Sequence, residues 1–337
     1  MTDRPNAVTR TAEADTPAPG ALRRVLASTG AQNLSLLAAL LILVAIFGTL
    51  RPEAFFSTRN LAAIMSAIAI LGIVAMAQTV VIVSGAIDVS VGSIVGLASV
   101  CAALAMTRVD SAAVGVLAAI AAGGLAGLVN GVLVTKGRVN PIITTLATLA
   151  IFQGVAFIVS NGRAIGVINT DFNWIGSGRI ASVPVTVIVF LVLAVLMVFL
   201  TKATDIGRNV YAIGGNPSAA RLAGIRITRY RIGVFVLTGL VCGVAAVLLT
   251  ARSTSGQPSS GSAGLELEAI TAAFLGGCAM AGGRGTIIGT IIGVLIIGTL
   301  NNGMLLMMVP NFYQLVAKGV LLLAAVMIME FRTGGRE

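Results

Sequence analysis

The chain has 337 residues, of which 57% are hydrophobic and only 10% charged, with a net charge of +10 and no histidine. A mean hydropathy of +1.01 excludes a water-soluble globule, whose surface must be polar, so the excess apolar surface belongs in a bilayer. Without His there is no His-based acid–base, triad or metal chemistry, and without a GxxxxGK[ST] stretch the chain cradles no nucleotide itself.

Residues 1–32 are polar and read as a flexible cytoplasmic tail. The apolar run Leu34 to Leu50 follows Arg23 and Arg24, as a secretory signal would. It ends in Arg51-Pro52-Glu53 rather than a small-residue cleavage site, so it reads as a retained first span. A spanning helix needs about 20 mostly apolar residues. Ten runs approach that length: 33–50, 60–84, 91–107, 112–134, 141–160, 183–201, 232–250, 265–280, 286–308 and 313–331. The predicted fold is an all-α polytopic membrane protein of about ten transmembrane helices. One transmembrane domain covers 33–331, and a short cytoplasmic tail covers 332–337.

Alternating the spans from a cytoplasmic N-terminus puts fifteen Lys and Arg on the inner side and six on the outer, with Lys318 inside the last span and free to snorkel outward. Both termini are therefore expected in the cytoplasm. The positive charge is topological and implies no nucleic-acid partner. The three cysteines, Cys101, Cys242 and Cys278, lie in apolar runs without metal-ligand spacing and read as packing thiols. No metal or cofactor is expected, and no enzyme activity.

Ser84-Gly85-Ala86-Ile87-Asp88-Val89-Ser90-Val91-Gly92-Ser93 interrupts an otherwise apolar stretch. A carboxylate at depth is expensive, and irregular backbone there is tolerated only inside protein or beside a wet cavity. Ser90 and Ser93 are placed to cap the following helix, with Asp88 near its positive end. A plain inner loop and a pathway-lining element both fit. Further on, Asn140 and Pro141 begin span five, and Thr144 and Thr145 lie one turn in, as helix-packing glue or as contacts for sugar hydroxyls.

The loop 202–231 carries six basic residues and one acid, Asp205. Within it Asn216 is a good N-cap and Pro217 suits the first helical position. Ser218, Ala219, Ala220, Arg221 and Leu222 follow, and Gly224 is placed to end the helix. A capped helix of about two turns outside the membrane is what docking to a cytosolic partner would use. The segment from Gly264 to Gly285 opens with Glu266 and Glu268, ends in Gly282-Gly283-Arg284-Gly285 and is short for a span, hence a candidate re-entrant element. Gly115, Gly123, Gly127 and Gly131, like Gly285, Gly289 and Gly293, recur at spacings that let helices approach closely. Gly127-Leu-Val-Asn130 echoes Gly298-Thr-Leu-Asn301, and an acidic break precedes spans three and eight. Two inverted five-helix halves and a chance echo both fit so short a match.

These motifs resemble the ribose/xylose/arabinose-type sugar ABC transporter permeases, along nearly all of residues 30–332. The matching residues are Gly85 to Ser93, Asn140-Pro141 with Thr144-Thr145-Leu146, Gly207 to Pro217, Ala219 to Ile225, and Gly276-Gly277 to Gly282-Gly283-Arg284-Gly285. Ala86 and the Ser/Gly-rich stretch Ser253–Gly264 depart from the pattern and limit any statement on cargo. The resemblance implies a multi-pass permease in the bacterial inner membrane, part of an ABC importer for a monosaccharide. It implies a cytosolic ABC ATPase, a periplasmic or extracellular sugar-binding protein, and a homodimer in the membrane. Asn216 to Leu222 with Gly224 would form the coupling helix. Asp88, Ser90, Ser93, Asn140, Thr144 and Glu266 are candidates for the substrate pathway. Competing readings are an ABC permease for a branched-chain amino acid, nucleoside or signalling sugar, and an ion-coupled transporter that titrates Asp88.

Overall fold

The computed structural model describes residues 29–261 and 264–333. Nearly all of the expected tails at 1–32 and 332–337 lie outside the described residues. The described chain is almost wholly helical. The helices are α1 (Thr29–Leu50), α2 (Pro52–Phe55), α3 (Thr58–Val83), α4 (Val91–Arg108), α5 (Ala112–Thr135), α6 (Pro141–Val159), α7 (Thr170–Ser177), α8 (Val185–Ala203), α9 (Asp205–Gly215), α10 (Pro217–Leu222), α11 (Ile227–Ser253), α12 (Leu265–Leu275), α13 (Ile287–Leu306) and α14 (Asn311–Thr333). Eight of these are long and apolar enough to cross a membrane, and α14 adds a shorter apolar stretch. Each of the ten expected runs coincides with a helix, but the eighth stops at Leu275, where Gly276 and Gly277 interrupt it.

α3 is apolar on every side, and such a helix belongs in the middle of a bundle. Its best 18-residue window is 94% buried against 17% for α1, so α3 is the hub and α1 lies at the rim. α11, α13, α12 and α8 surround it. α4 forms a second axis, packed by α5, α11 and α6.

The glycine spacing read from the sequence governs the closest helix pairs. Gly123 and Gly127 of α5 face Gly239 and Gly243 of α11, and a Cβ at any of the four would collide with backbone across the interface. Gly276 meets Gly289, and Gly293 meets Ala272, so α12 and α13 approach in the same way. Close backbone approach replaces the hydrophobic effect, which does not operate between helices already in lipid.

At one end of the bundle α7 packs on α11. Two short antiparallel pairings, β1 (Ile165–Gly166) with β4 (Ser255–Gly256) and β2 (Arg179–Ile180) with β3 (Val183–Pro184), close that end. α9 and α10 lie at the opposite end.

Candidate functional site

α3 ends at Ser84, and the backbone turns back through Gly85 at φ +82°, a left-handed conformation that costs glycine nothing. The chain then re-enters the bundle to Asp88 before α4 begins. Asp88 is completely buried. Its Oδ1 accepts hydrogen bonds from the Ser90 backbone N–H (2.9 Å) and hydroxyl (2.6 Å), and its Oδ2 accepts from the Asn130 amide (3.4 Å), which also donates to Ser90 Oγ (2.7 Å). Gln78, set with its amide nitrogen toward the Asp88 carbonyl, pairs both backbone polar groups of Asp88 at 3.2 Å. Thr145 accepts from the Val89 N–H at 3.1 Å. Irregular backbone is thus satisfied from α3, α5 and α6, as a dry interior requires.

The expected serine caps are not made. Ser90 occupies the N-cap position with helical backbone angles (φ −84°, ψ −2°), and its side chain bonds no helical N–H. A cap needs an extended N-cap residue; here the hydroxyl turns to Asp88, and Ser93 donates back to the Ser90 carbonyl. Asn140 does cap α6, accepting from the Ile142 N–H at 2.9 Å, while Thr144 donates to its own helix at the Asn140 carbonyl.

A second break follows α11. From Gly256 to Gly261 the chain runs back along α4, with Gly256 against Ser99 and Ala103, the Pro258 and Ser260 carbonyls against Gly96, and Gly261 against Gly92 and Val95. α12 therefore starts inside the bundle, with the Glu266 carboxylate resting on Gly92. Its 11 residues cover only about 16 Å. The loop 276–286 completes the crossing. The eighth span is thus a re-entrant dip joined to a half-helix.

Asn301 donates to Glu268 Oε2 (3.2 Å), and Lys318 of α14 forms an ion pair with Glu268. Lys318, expected to be free to snorkel outward, is instead held by this acid on α12. Asn301 lies about 8 Å from the Leu306 end of α13, and Asn302 beside it bonds Asn60 near the start of α3, so the pair sits toward that end of the bundle. Glu268, Asn301 and Lys318 line a cavity of ≈ 110 Å³ with Thr271 and Gly264. The echoed Gly-x-x-Asn segments thus do the same work twice, since Asn130 and Asn301 each bond an acid at the preceding break. That acid–amide pairing is a local structural fact the sequence alone did not reveal.

At the opposite end from α7, α9 was not expected. Thr204 caps it, accepting from the Gly207 N–H at 3.2 Å, and its inner face buries Val210 and Ile213. α10 has both expected ends. Asn216 accepts from the Ser218 and Ala219 N–H groups at 3.0 Å, Pro217 takes the first position, and Gly224 follows with φ +81°. Ala220 is buried, whereas Leu222 is 91% exposed and Arg221 is also exposed.

α9 also reaches the first break and the loop 276–286. Gly214 lies against the Val83 carbonyl and Gly283. The Tyr211 hydroxyl donates to the Gly285 carbonyl (2.7 Å), and the Gly283 N–H donates to the Val83 carbonyl (2.9 Å). Burial pushes the Tyr211 phenol above its ordinary pKa, with the Cys278 thiol adding to the effect, so it stays a neutral donor. A larger cavity, ≈ 740 Å³, opens between α8, α9 and α11 against the end of α3. Of the expected pathway residues, Asp88 and Ser90 come together at the first break, and Ser93 lies one turn on. Thr144 is buried on α6 and bonded to its own helix, and it is its neighbour Thr145 that meets the break. Glu266 stands at the second break and Asn140 at the exposed start of α6. None of the six lines either cavity. Asn130, Glu268, Asn301 and Lys318 were not among the expected site residues.

No solved structure matches the chain. The ribose import permease protein RbsC of Escherichia coli K12 is 40% identical over 296 residues, covering 87% of this chain and 92% of that protein. RbsC of Bacillus subtilis is 41% identical over 300 residues, covering 88% and 92%. The L-arabinose ABC transporter permease protein AraH of Azospirillum brasilense is 39% identical over 300 residues, covering 88% of each. The family model for the permease component of branched-chain amino acid transport systems matches residues 60–326. With its broken spans, this multi-pass membrane chain belongs to that family of transport permeases.

Proposed function

We propose that the chain is the membrane-spanning subunit of an ABC importer that carries a monosaccharide across the bacterial inner membrane, with ATP hydrolysed on a separate cytosolic subunit. The observation that carries this reading is the similarity, at about 40% identity over nearly the whole chain, to permeases whose names specify ribose and arabinose. α10, capped at both ends and presenting Arg221 and Leu222, is the helix that seats in the ATPase. The N- and C-termini share that cytoplasmic side. The end closed by α7 and the short strands faces outward and receives the sugar-binding protein. Two copies enclose the pathway, whose wall includes the second break with Glu266 and Glu268. Asp88, Ser90 and Ser93 hold the first break in shape, and Asn140 and Thr144 begin the helix that supports it. The branched-chain amino acid, nucleoside and signalling-sugar readings have less support than the named sugar permeases. An ion-coupled reading suffers because Asp88 is wholly buried and bonded to Ser90 and Asn130, and lines neither cavity.

ATP coupling makes a direct test possible. Proteoliposomes holding this chain, its ATPase and ATP, supplied with ribose-loaded binding protein, are expected to accumulate ribose. Vesicles holding the chain alone are not. Accumulation by the chain alone overturns the reading.

A further inference from the structure

The ≈ 740 Å³ cavity has a composition that the importer reading does not use. α8 and α11 both pack closely on α3, and the cavity lies as a crevice between them, with α9 across its end. Its walls are apolar and reach deep. Leu237 lies ten residues into α11, about 15 Å from that helix's first residue, and Val80, Leu200 and Val234 continue the same surface. Gly233 widens the crevice, since a Cβ there would meet nothing within 4 Å.

The mouth has the opposite character. Arg226 and Arg229 stand there, and neither has an ion pair among the described residues. Nearby Asp205 is taken by Arg208. The Tyr230 hydroxyl accepts from the Asn209 amide (2.6 Å), which leaves its own hydrogen free to donate. Two cations and a hydroxyl donor therefore sit at helix ends, at the level of a bilayer's headgroups, above an apolar slot.

We propose that this crevice binds an anionic phospholipid, with the phosphate held by Arg226, Arg229 and Tyr230 and an acyl chain laid along Val80, Leu200, Val234 and Leu237. The charge at the mouth calls for a phosphate. Its source is decided by the walls, because a free phosphate would leave them against water or empty space, whereas an acyl chain covers them. The volume is within the range of small-molecule sites, about 300–1,000 Å³. The site needs no ATPase to be read, so its failure would leave the importer assignment untouched.

The test is native mass spectrometry of the full chain, purified in detergent and offered equal amounts of phosphatidylglycerol and phosphatidylethanolamine. The wild-type chain is expected to retain phosphatidylglycerol in preference. At about 1 kcal/mol per basic residue, the double variant Arg226→Gln/Arg229→Gln should bind it roughly 30-fold more weakly. Gly233→Leu keeps both arginines and adds a side chain to the slot at a position where a Cβ meets nothing within 4 Å, and it should also lose the lipid while melting like wild type. Equal retention of the two lipids by wild type, or wild-type retention by either variant, overturns the proposal. Inorganic phosphate that displaces the lipid from wild type and binds wild type and Gly233→Leu equally well would assign the arginines to a free anion and would also overturn it.

Discussion

Asp88 is a wholly buried carboxylate held by three donors from Ser90 and Asn130. Its chemistry is that of a brace: it accepts the N–H and hydroxyl that α4 would otherwise leave unpaired where the chain reverses. Asp88→Asn keeps an acceptor for Ser90 and loses one charge-assisted bond, which costs about 2 kcal/mol of stability. The variant is expected to melt earlier in detergent, yet to support ATP-driven uptake that survives collapse of the proton gradient. Loss of uptake with ATP hydrolysis intact would instead put the carboxylate in the transport step. The break itself was legible, because an acid amid apolar residues must be inside protein. Its partner was not, since Asn130 lies 42 positions away and no local rule joins the two. The repeated Gly-x-x-Asn was the one signal pointing there. Lys318 was misread for the same reason. Snorkelling is an argument about one helix, and Glu268 belongs to another.

α10 and α9 are adjacent helices of unequal legibility. Asn216-Pro217 and Gly224 define both ends of α10 within a few residues, and the structure keeps them. α9 contains Gly207, Gly214 and Gly215, each worth about 1 kcal/mol against helix relative to alanine. Packing of Val210 and Ile213 on the bundle outweighs that, and the cap at Thr204 with Asp205 beside it was the visible hint. α12 was found but drawn too long, because the apolar letters of 276–280 continue past the glycines that stop the helix. Leu222, exposed at the end of α10, is the side chain best placed to anchor in a partner, and Ala220 is not, being buried. Leu222→Asp is therefore expected to leave folding and membrane insertion unchanged and to weaken capture of the ATPase by the tagged chain about 30-fold, the loss of an anchor worth about 2 kcal/mol. Undiminished capture would remove α10 from the interface.

Across the whole molecule, one junction ties these elements together. α9 touches Val83 and Gly283 and holds the Gly285 carbonyl through Tyr211, so a displacement of the α9–α10 end reaches the first break and the loop that follows α12 through direct contacts. The dip after α11 escaped sequence reading because Ser253–Gly264 looks like a free polar loop. It lies against α4 because Gly92 meets Gly261, Gly96 meets the Pro258 and Ser260 carbonyls and Gly256 meets Ser99, a match between distant segments. The rim tells of a further partner. α1, α5, α6, α8 and α14 all present large apolar side chains outward, among them Leu34, Ile158, Val195 and Leu315. Lipid covers such faces, yet the Glu268–Lys318 pair is part-exposed beside α14, where lipid is a poor neighbour for charge. The second copy proposed above would shield that pair if it packed across α14. Native mass spectrometry of the complex with its ATPase is accordingly expected to find two copies of the 34.1 kDa chain. A cysteine placed at Leu315, exposed on α14, should cross-link to its twin. One copy per complex would leave the ion pair facing lipid and contradict a shared pathway, while two copies without the Leu315 cross-link would move the interface to another exposed face, such as that of α6.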